Sequence, residues 1–262
     1  ESLTGLDIGA YDVTITDNNG CTKDTSFTIN EPPDINIGIT STDVDCNGNG
    51  NGSVLTTLTG GTAPLTPFWT IITPGGGLVP NNADQFTLDG GVYQLLVTDG
   101  NGCADSVQVT IDEPDTIISN GTVVDISCYD QVDGEITLNL IGGTTPYNIT
   151  WTSSDPSFVD PGGNATSLSN LDSGSYTVSI IDANGCLYDT TLIITKPSEI
   201  FANGSSTDVI CFGDADGTIT LNTSNGVPNY TWDWTGPSGF TSTDESLTGL
   251  DIGAYDVTIT DN

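Results

Sequence analysis

A chain of 262 residues with 32 glycines, 13 prolines, 35 acidic residues, only Lys23 and Lys196 as bases, and no histidine is a poor source of long helices. Its formal net charge of −33 repels phosphate backbones and anionic lipid heads, which argues against nucleic acid and membrane-surface partners. No apolar run approaches the length of a membrane span, so no membrane insertion is expected of this region.

From the first residues, apolar side chains alternate regularly, which a disordered acidic chain does not do. Tyr11, Val13 and Ile15 predict a strand with one face in a core, while Asp12, Thr14 and Thr16 point the other way. The sequence DNNGC then supplies Asn-Gly hairpin chemistry, and a second strand carrying Phe27 and Ile29 ends at Pro32. Residues 1–33 thus read as the C-terminal part of a preceding module, and a start in mid-repeat reads as an internal window of something larger.

Residues 34–114 form a first whole module. Its landmarks are the loop CNGNGNGSV from Cys46, the turn GGTAP at 60–64, Trp69, a strand with Tyr93, Leu95 and Val97, the turn DGNGC, and a last strand with Val109 and Ile111. Residues 115–197 repeat them with CYDQVDGEI from Cys128, GGTTP at 142–146, Trp151, Tyr176 with Val178 and Ile180, DANGC, and Leu192 with Ile194. Residues 198–262 begin again with CFGDADGTI from Cys211, but here NGVP leads to Trp232 with one residue missing, and the module lacks its last strand. Residues 1–18 recur unchanged as residues 245–262, the signature of an array.

Six or seven short strands in about 80 residues predict an all-β fold, a tandem array of immunoglobulin-like β-sandwich modules. One aromatic pair per module reads as its core anchor: Trp69 and Tyr93, Trp151 and Tyr176, Trp232 and Tyr255. Trp234, two residues past Trp232, either shares its strand face or extends to the module's end. The ordered set C-x-x-x-x-[DN]-G, G-G-T-x-P-x-x-x-x-W and G-x-Y-x-[VL]-x-[IV]-x-D-x-N-G-C resembles the SprB-type repeats of giant cell-surface adhesins of gliding bacteria. That resemblance implies secretion, display on an extracellular cell-surface appendage, and roles in adhesion, gliding or prey capture. It implies no catalytic residues.

The six cysteines lack C-x-x-C spacing, so structural disulfides in an oxidising compartment are expected. Two arrangements fit. Cys46 and Cys186 pair between modules as a staple, with Cys21, Cys103, Cys128 and Cys211 pairing outside the window; or Cys21 with Cys46, Cys103 with Cys128, and Cys186 with Cys211 close locally around each linker. The staple is preferred because Pro-containing linkers continue in an extended direction.

Asp130, Asp133, Asp214 and Asp216 resemble fragments of calcium loops, whereas the matching loop of the first module offers Asn47, Asn49 and Asn51. Turns closed by Asx hydrogen bonds are the competing account. Calcium is the one cofactor these loops suggest. Without histidine and with no cysteine beside a base, catalysis has only carboxylate pairs, and small sandwiches give them no cleft. The expectation is therefore a filament, shaft or stalk whose partners are neighbouring modules and other copies of the same protein. The alternative is a multivalent adhesin whose loops, 75–84 and 153–163 among them, bind glycans or cell surfaces.

Overall fold

The computed structural model describes residues 2–261, and the chain divides into two compact units, 1–116 and 117–262. In the first unit, β1 (Gly9–Thr16) and β2 (Thr22–Ile29) form an antiparallel hairpin in register from Gly9 with Ile29 to Thr16 with Thr22. Six strands follow: β3 (Asn36–Thr42), β4 (Gly52–Thr59), β5 (Thr66–Ile71), β6 (Gln85–Leu88), β7 (Gly91–Thr98) and β8 (Ala104–Ile111). They make two three-stranded sheets, β3-β4-β6 and β5-β7-β8, the A-B-E and C-F-G order of an immunoglobulin-like sandwich.

Between the sheets lie Val44, Val54 and Leu88 from one side and Trp69, Tyr93, Leu95, Val97 and Ile111 from the other. The alternation of β7 places Tyr93, Leu95 and Val97 inward. Gln85 is also fully buried, and its amide is satisfied by the Val79 N–H and by the Val79 and Asn82 carbonyls.

The second unit starts with a broken first strand, β9 (Ile118–Ser119) and β10 (Thr122–Val124). Next come β11 (Gly134–Thr137), β12 (Leu140–Ile141), β13 (Asn148–Ser153), β14 (Ser167–Leu171), β15 (Gly174–Ile181) and β16 (Leu187–Ile194). Sheets β10-β11-β14 and β13-β15-β16 enclose Trp151, Tyr176, Val178, Ile180, Ile136 and Ile194, and β9 pairs with β12. The remaining strands are β17 (Phe201–Thr207), β18 (Gly217–Ser224), β19 (Thr231–Thr235), β20 (Thr241–Ser242), β21 (Leu247–Leu250) and β22 (Asp256–Thr260). They form sheets β17-β18-β21 and β20-β19-β22 around a smaller core of Leu221, Trp234, Leu247 and Leu250.

The outer edge of the C-F-G sheet is closed by a loop carbonyl and a proline in the first sandwich and by side chains in the second. Trp69 donates its backbone N–H to the Pro80 carbonyl, and the next outward position, Pro67, has no N–H to offer. In β13, the outward N–H groups of Ile149 and Trp151 go to Asn164 Oδ1 and Asp160 Oδ2. A second recurring feature is a bulge where the E strand of each sandwich, β6, β14 or β21, pairs with its neighbour. Its extra residue has positive φ in all three: Thr87 at 60°, Asn170 at 55° and Gly249 at 72°.

Candidate functional site

At one end of the sandwiches of residues 34–114 and 115–197 the aspartate closing the Tyr strand joins two turns. Asp99 Oδ1 accepts the N–H groups of Asn101 and Cys103, each at 2.9 Å, while Oδ2 accepts Thr62 N–H at 2.9 Å from the GGTAP turn. Asp182 repeats this with Asn184, Cys186 and Thr144. Asp17 holds Asn19 and Cys21, and Asp261 holds Val227. The turn glycines approach closely: a Cβ on Gly143, where φ is +60°, would stand 3.0 Å from Asp182 Oδ2.

The N–H of Thr62 is the main cause holding the Asp99 carboxyl below its ordinary value; burial opposes it, and Cys103, Asn101 and Gly102 add to it. For Asp182, burial is the largest influence and pushes the group up. The N–H groups of Thr144, Cys186, Asn184 and Gly185 outweigh it, and the net direction is again downward.

At the opposite end stands a tyrosine corner. The hydroxyls of Tyr11, Tyr93, Tyr176 and Tyr255 each donate to the carbonyl four residues earlier, Asp7, Asp89, Asp172 and Asp251, at 2.8 to 3.1 Å. What covers the corner differs. Gly76 N–H donates to the Tyr93 hydroxyl at 3.1 Å, whereas Phe158 packs edge-on against Tyr176 at 5.4 Å and Phe240 against Tyr255 at 5.2 Å.

The expected anchors Trp69, Trp151, Tyr93 and Tyr176 lie fully within their cores. Tyr255 is half-buried, beside β22, which pairs only with β19 among the described residues. Trp232 is a correction. The buried tryptophan of residues 198–262 is Trp234, whose indole N–H donates to the Asp244 carbonyl as those of Trp69 and Trp151 donate to Ala83 and Ala165. Trp234 faces Val257, as Trp69 faces Leu95 and Trp151 faces Val178. The altered turn keeps the spacing to the anchor, eight residues from Gly226 to Trp234 as from Gly61 to Trp69 and from Gly143 to Trp151, with only the proline one residue earlier, and Trp232 lies only partly buried near the strand's start, donating to Thr223 Oγ1.

The loop carboxylates do not converge. Asp133 closes its own loop by accepting the Ser127 N–H and hydroxyl, Asp216 accepts the Ile210 N–H, and Asn51 accepts the Asp45 N–H at the same position of the first sandwich. Asp130 accepts from the Gln131 amide, and the backbone N–H of Asp214 bonds to the Cys211 carbonyl. Among the described residues no group of three or more His, Cys, Asp or Glu side chains is placed to hold a metal ion. Asp133 and Asp216 are loop-closing acceptors.

Cys46 and Cys186 are disulfide-bonded, whereas Cys21, Cys103, Cys128 and Cys211 are free thiols. Each local pair across a linker would need a free cysteine, so the local arrangement is not formed. Sequence reasoning missed the double role of Asp99 and Asp182. Their position in D-x-N-G-C was visible, but the reach of Oδ2 to the GGT turn is a long-range contact that the local turn signal does not encode.

The SprB repeat family matches residues 38–66, 120–156 and 203–239. SprB repeats are found in three segments of the chain. Each SprB segment contains a loop cysteine, Cys46, Cys128 or Cys211, and stops before the Tyr strand and its D-x-N-G-C turn. No curated protein matches the chain. Among solved structures it is similar to a tetra-tandem repeat in the extending region of a large adhesion protein, at 14% identity over 98% of this chain and 82% of that one, with a TM-score of 0.28. It is similar also to the N-terminal four Ig domains of Dscam1 isoform 6.44, at 10% identity, covering 100% and 79%, with a TM-score of 0.23. A third likeness is to Salmonella alpha-2-macroglobulin reacted with methylamine, at 10% identity, covering 97% and 22%, with a TM-score of 0.16.

Proposed function

We propose that this chain is a non-enzymatic shaft segment of a giant secreted surface protein, displayed on a cell-surface appendage that serves adhesion, gliding or prey capture. The observation that carries the reading is the repetition of end fittings. The tyrosine corner recurs in every sandwich, the aspartate ties two turns in residues 34–114 and 115–197 and holds the matching Val227 turn in residues 198–262, while the loops over the corner vary in composition. Recurring fittings at the two ends suit modules that stack on their neighbours. At about 35–40 Å per module, three modules give an axial repeat of about 100–120 Å. Electron microscopy of the native assembly is expected to show filaments with that repeat, and flexible beads without lateral contacts would sink the shaft reading.

The staple belongs to the same proposal: Cys46 of residues 34–114 pairs with Cys186 of residues 115–197, and the four remaining cysteines serve equivalent junctions. Non-reducing peptide mapping is expected to recover a peptide joining Cys46 to Cys186. Recovery of both as thiols would remove it.

A second reading, a multivalent adhesin, is favoured by one surface. A pocket in residues 115–197 is lined by Asp155, Phe158, Val159, Asn170 and Asp172, with Val159 81% exposed. Carboxylates and an amide beside apolar side chains suit a neutral glycan.

A further inference from the structure

Each module receives chain at one end and releases it at the other, so axial tension reaches its first and last strands first. In the first unit, Gly61 N–H donates to the Pro33 carbonyl, and Pro33, Asp34, Gly61, Cys103 and Ala104 line one depression. The start of β3 therefore lies beside the start of β8. Their ends also meet. Val44 N–H donates to the Asp112 carbonyl at 2.9 Å, and Asp112 N–H donates to Asp43 Oδ1 at 2.9 Å.

The two strands thus run in the same direction. Tension pulling residue 33 one way and residue 114 the other slides segment 43–44 along residue 112. Hydrogen bonds perpendicular to that sliding share the load and break together, whereas a hairpin pulled from its open end breaks them one at a time.

The exit segment carries more bonds than the core requires. Glu113 spans two loops, accepting Gly48 N–H at 2.6 Å and Gly90 N–H at 2.9 Å, and these two donors hold its carboxyl below its ordinary value. Asn47 donates to the Pro114 carbonyl at 3.1 Å and accepts the Thr116 hydroxyl at 2.7 Å. In the second unit the pair recurs: Ile126 N–H donates to the Thr195 carbonyl at 3.0 Å, and Thr195 N–H donates to Asp125 Oδ1 at 2.7 Å.

The next residue there is Lys196 instead of Glu113. Its ammonium lies 3.6 Å from Asp172 Oδ1 and 5.1 Å from the centre of the Tyr129 ring, so opposite charge joins the same strand end to the corresponding loop and corner. The dipeptide recurs once more as Asp208-Val209.

We infer that Asp43 with Val44 and Asp112, and Asp125 with Ile126 and Thr195, are shear clamps that make these modules load-bearing. The inference rests on the shaft reading for its purpose, but the clamp is a property of each sandwich and is tested separately.

The test is single-molecule force spectroscopy on the full chain, pulled from its two ends in reductant so that no disulfide carries the load. Each of the two modules is expected to unfold in one event, releasing about 25 nm. Asp43→Ala raises the unfolding rate under load of its own module about tenfold, and Asp125→Ala does so for the other, because each removes one hydrogen bond that the transition state must break. The untouched module serves as the internal standard.

Asp43→Asn keeps the Oδ1 acceptor and is expected to match the parent chain. Asp84→Ala removes a hydrogen bond of the same kind, to Thr56 N–H at 2.8 Å, away from the loaded strands; it is expected to lower melting temperature and leave the force unchanged. Equal forces for Asp43→Ala and the parent, or equal weakening by Asp84→Ala, would overturn the clamp. Filaments in the microscope with such forces would leave the shaft reading intact while removing its clamp.

Discussion

Asp182→Ala is expected to destabilise its sandwich by about 3 kcal/mol, because the N–H groups of Thr144, Asn184 and Cys186 lose their acceptor at a site where the carboxylate is only 5% exposed. For a domain of this size that lowers the melting temperature by about 12–24 °C. Asp182→Asn tests the geometry more finely. Oδ1 is retained for the D-x-N-G-C turn, but an amide NH₂ now faces the Thr144 N–H, and a loss of about 2 kcal/mol is expected.

The same carboxylate makes stability pH-dependent. Its pKa is lower in the folded chain than unfolded, so on acidification the unfolded state takes up the proton first. The contribution is complete above the ordinary carboxylate range, about pH 4, and is lost as pH falls through the depressed folded value. Relief of repulsion among the acidic groups acts in the opposite sense and is screened by salt. Differential scanning calorimetry at high salt from pH 7 to pH 2.5 is therefore expected to show a smaller acid loss for Asp182→Asn than for the parent. A variant with unchanged melting and an unchanged acid limb would mean that the aspartate merely decorates the turn.

Trp234→Ala is the second large effect. The indole fills the small core with Leu221, Leu247 and Leu250, and its removal is expected to cost about 3–5 kcal/mol. Trp232→Ala, at a half-exposed position with one hydrogen bond to Thr223, is expected to cost about 1 kcal/mol. Thermal denaturation followed by tryptophan emission separates them. Equal losses would mean that both rings anchor the core.

Why the sequence pointed to Trp232 is physical. Period-two alternation assigns both tryptophans to the same strand face, and only depth along the strand distinguishes them. That depth is fixed by pairing of Trp234 with Val257 and of Trp232 with Ile259 near the strand's end, a register that counting from Pro228 misplaces, because the proline sits one residue earlier in this turn, whereas counting from Gly226 reproduces the spacing of Gly61 to Trp69.

Elements carried by local chemistry were legible: the alternation around Tyr93 and Tyr176, the Asn-Gly hairpins and the all-β sandwich. Contacts between distant turns were not. Nothing in composition announced that Gln85 lies in the core, because its burial depends on the chain from Val79 to Asn82 folding back to meet its amide. The loop aspartates were ambiguous for a related reason. A cation loop and a loop closed by Asp133 on Ser127 use the same residue types and differ in which atoms they face.

The blocked outer edge of the C-F-G sheet bears on how such a chain survives its own synthesis. Modules of one fold joined by short linkers encounter one another at very high local concentration while still incompletely folded. An open strand edge under those conditions templates mispairing between neighbours, the first step toward aggregation. Pro67, the Pro80 carbonyl, Asn164 and Asp160 remove the N–H positions on which a stray strand would align. Repetition of one fold along a chain is thereby made compatible with each copy folding on its own.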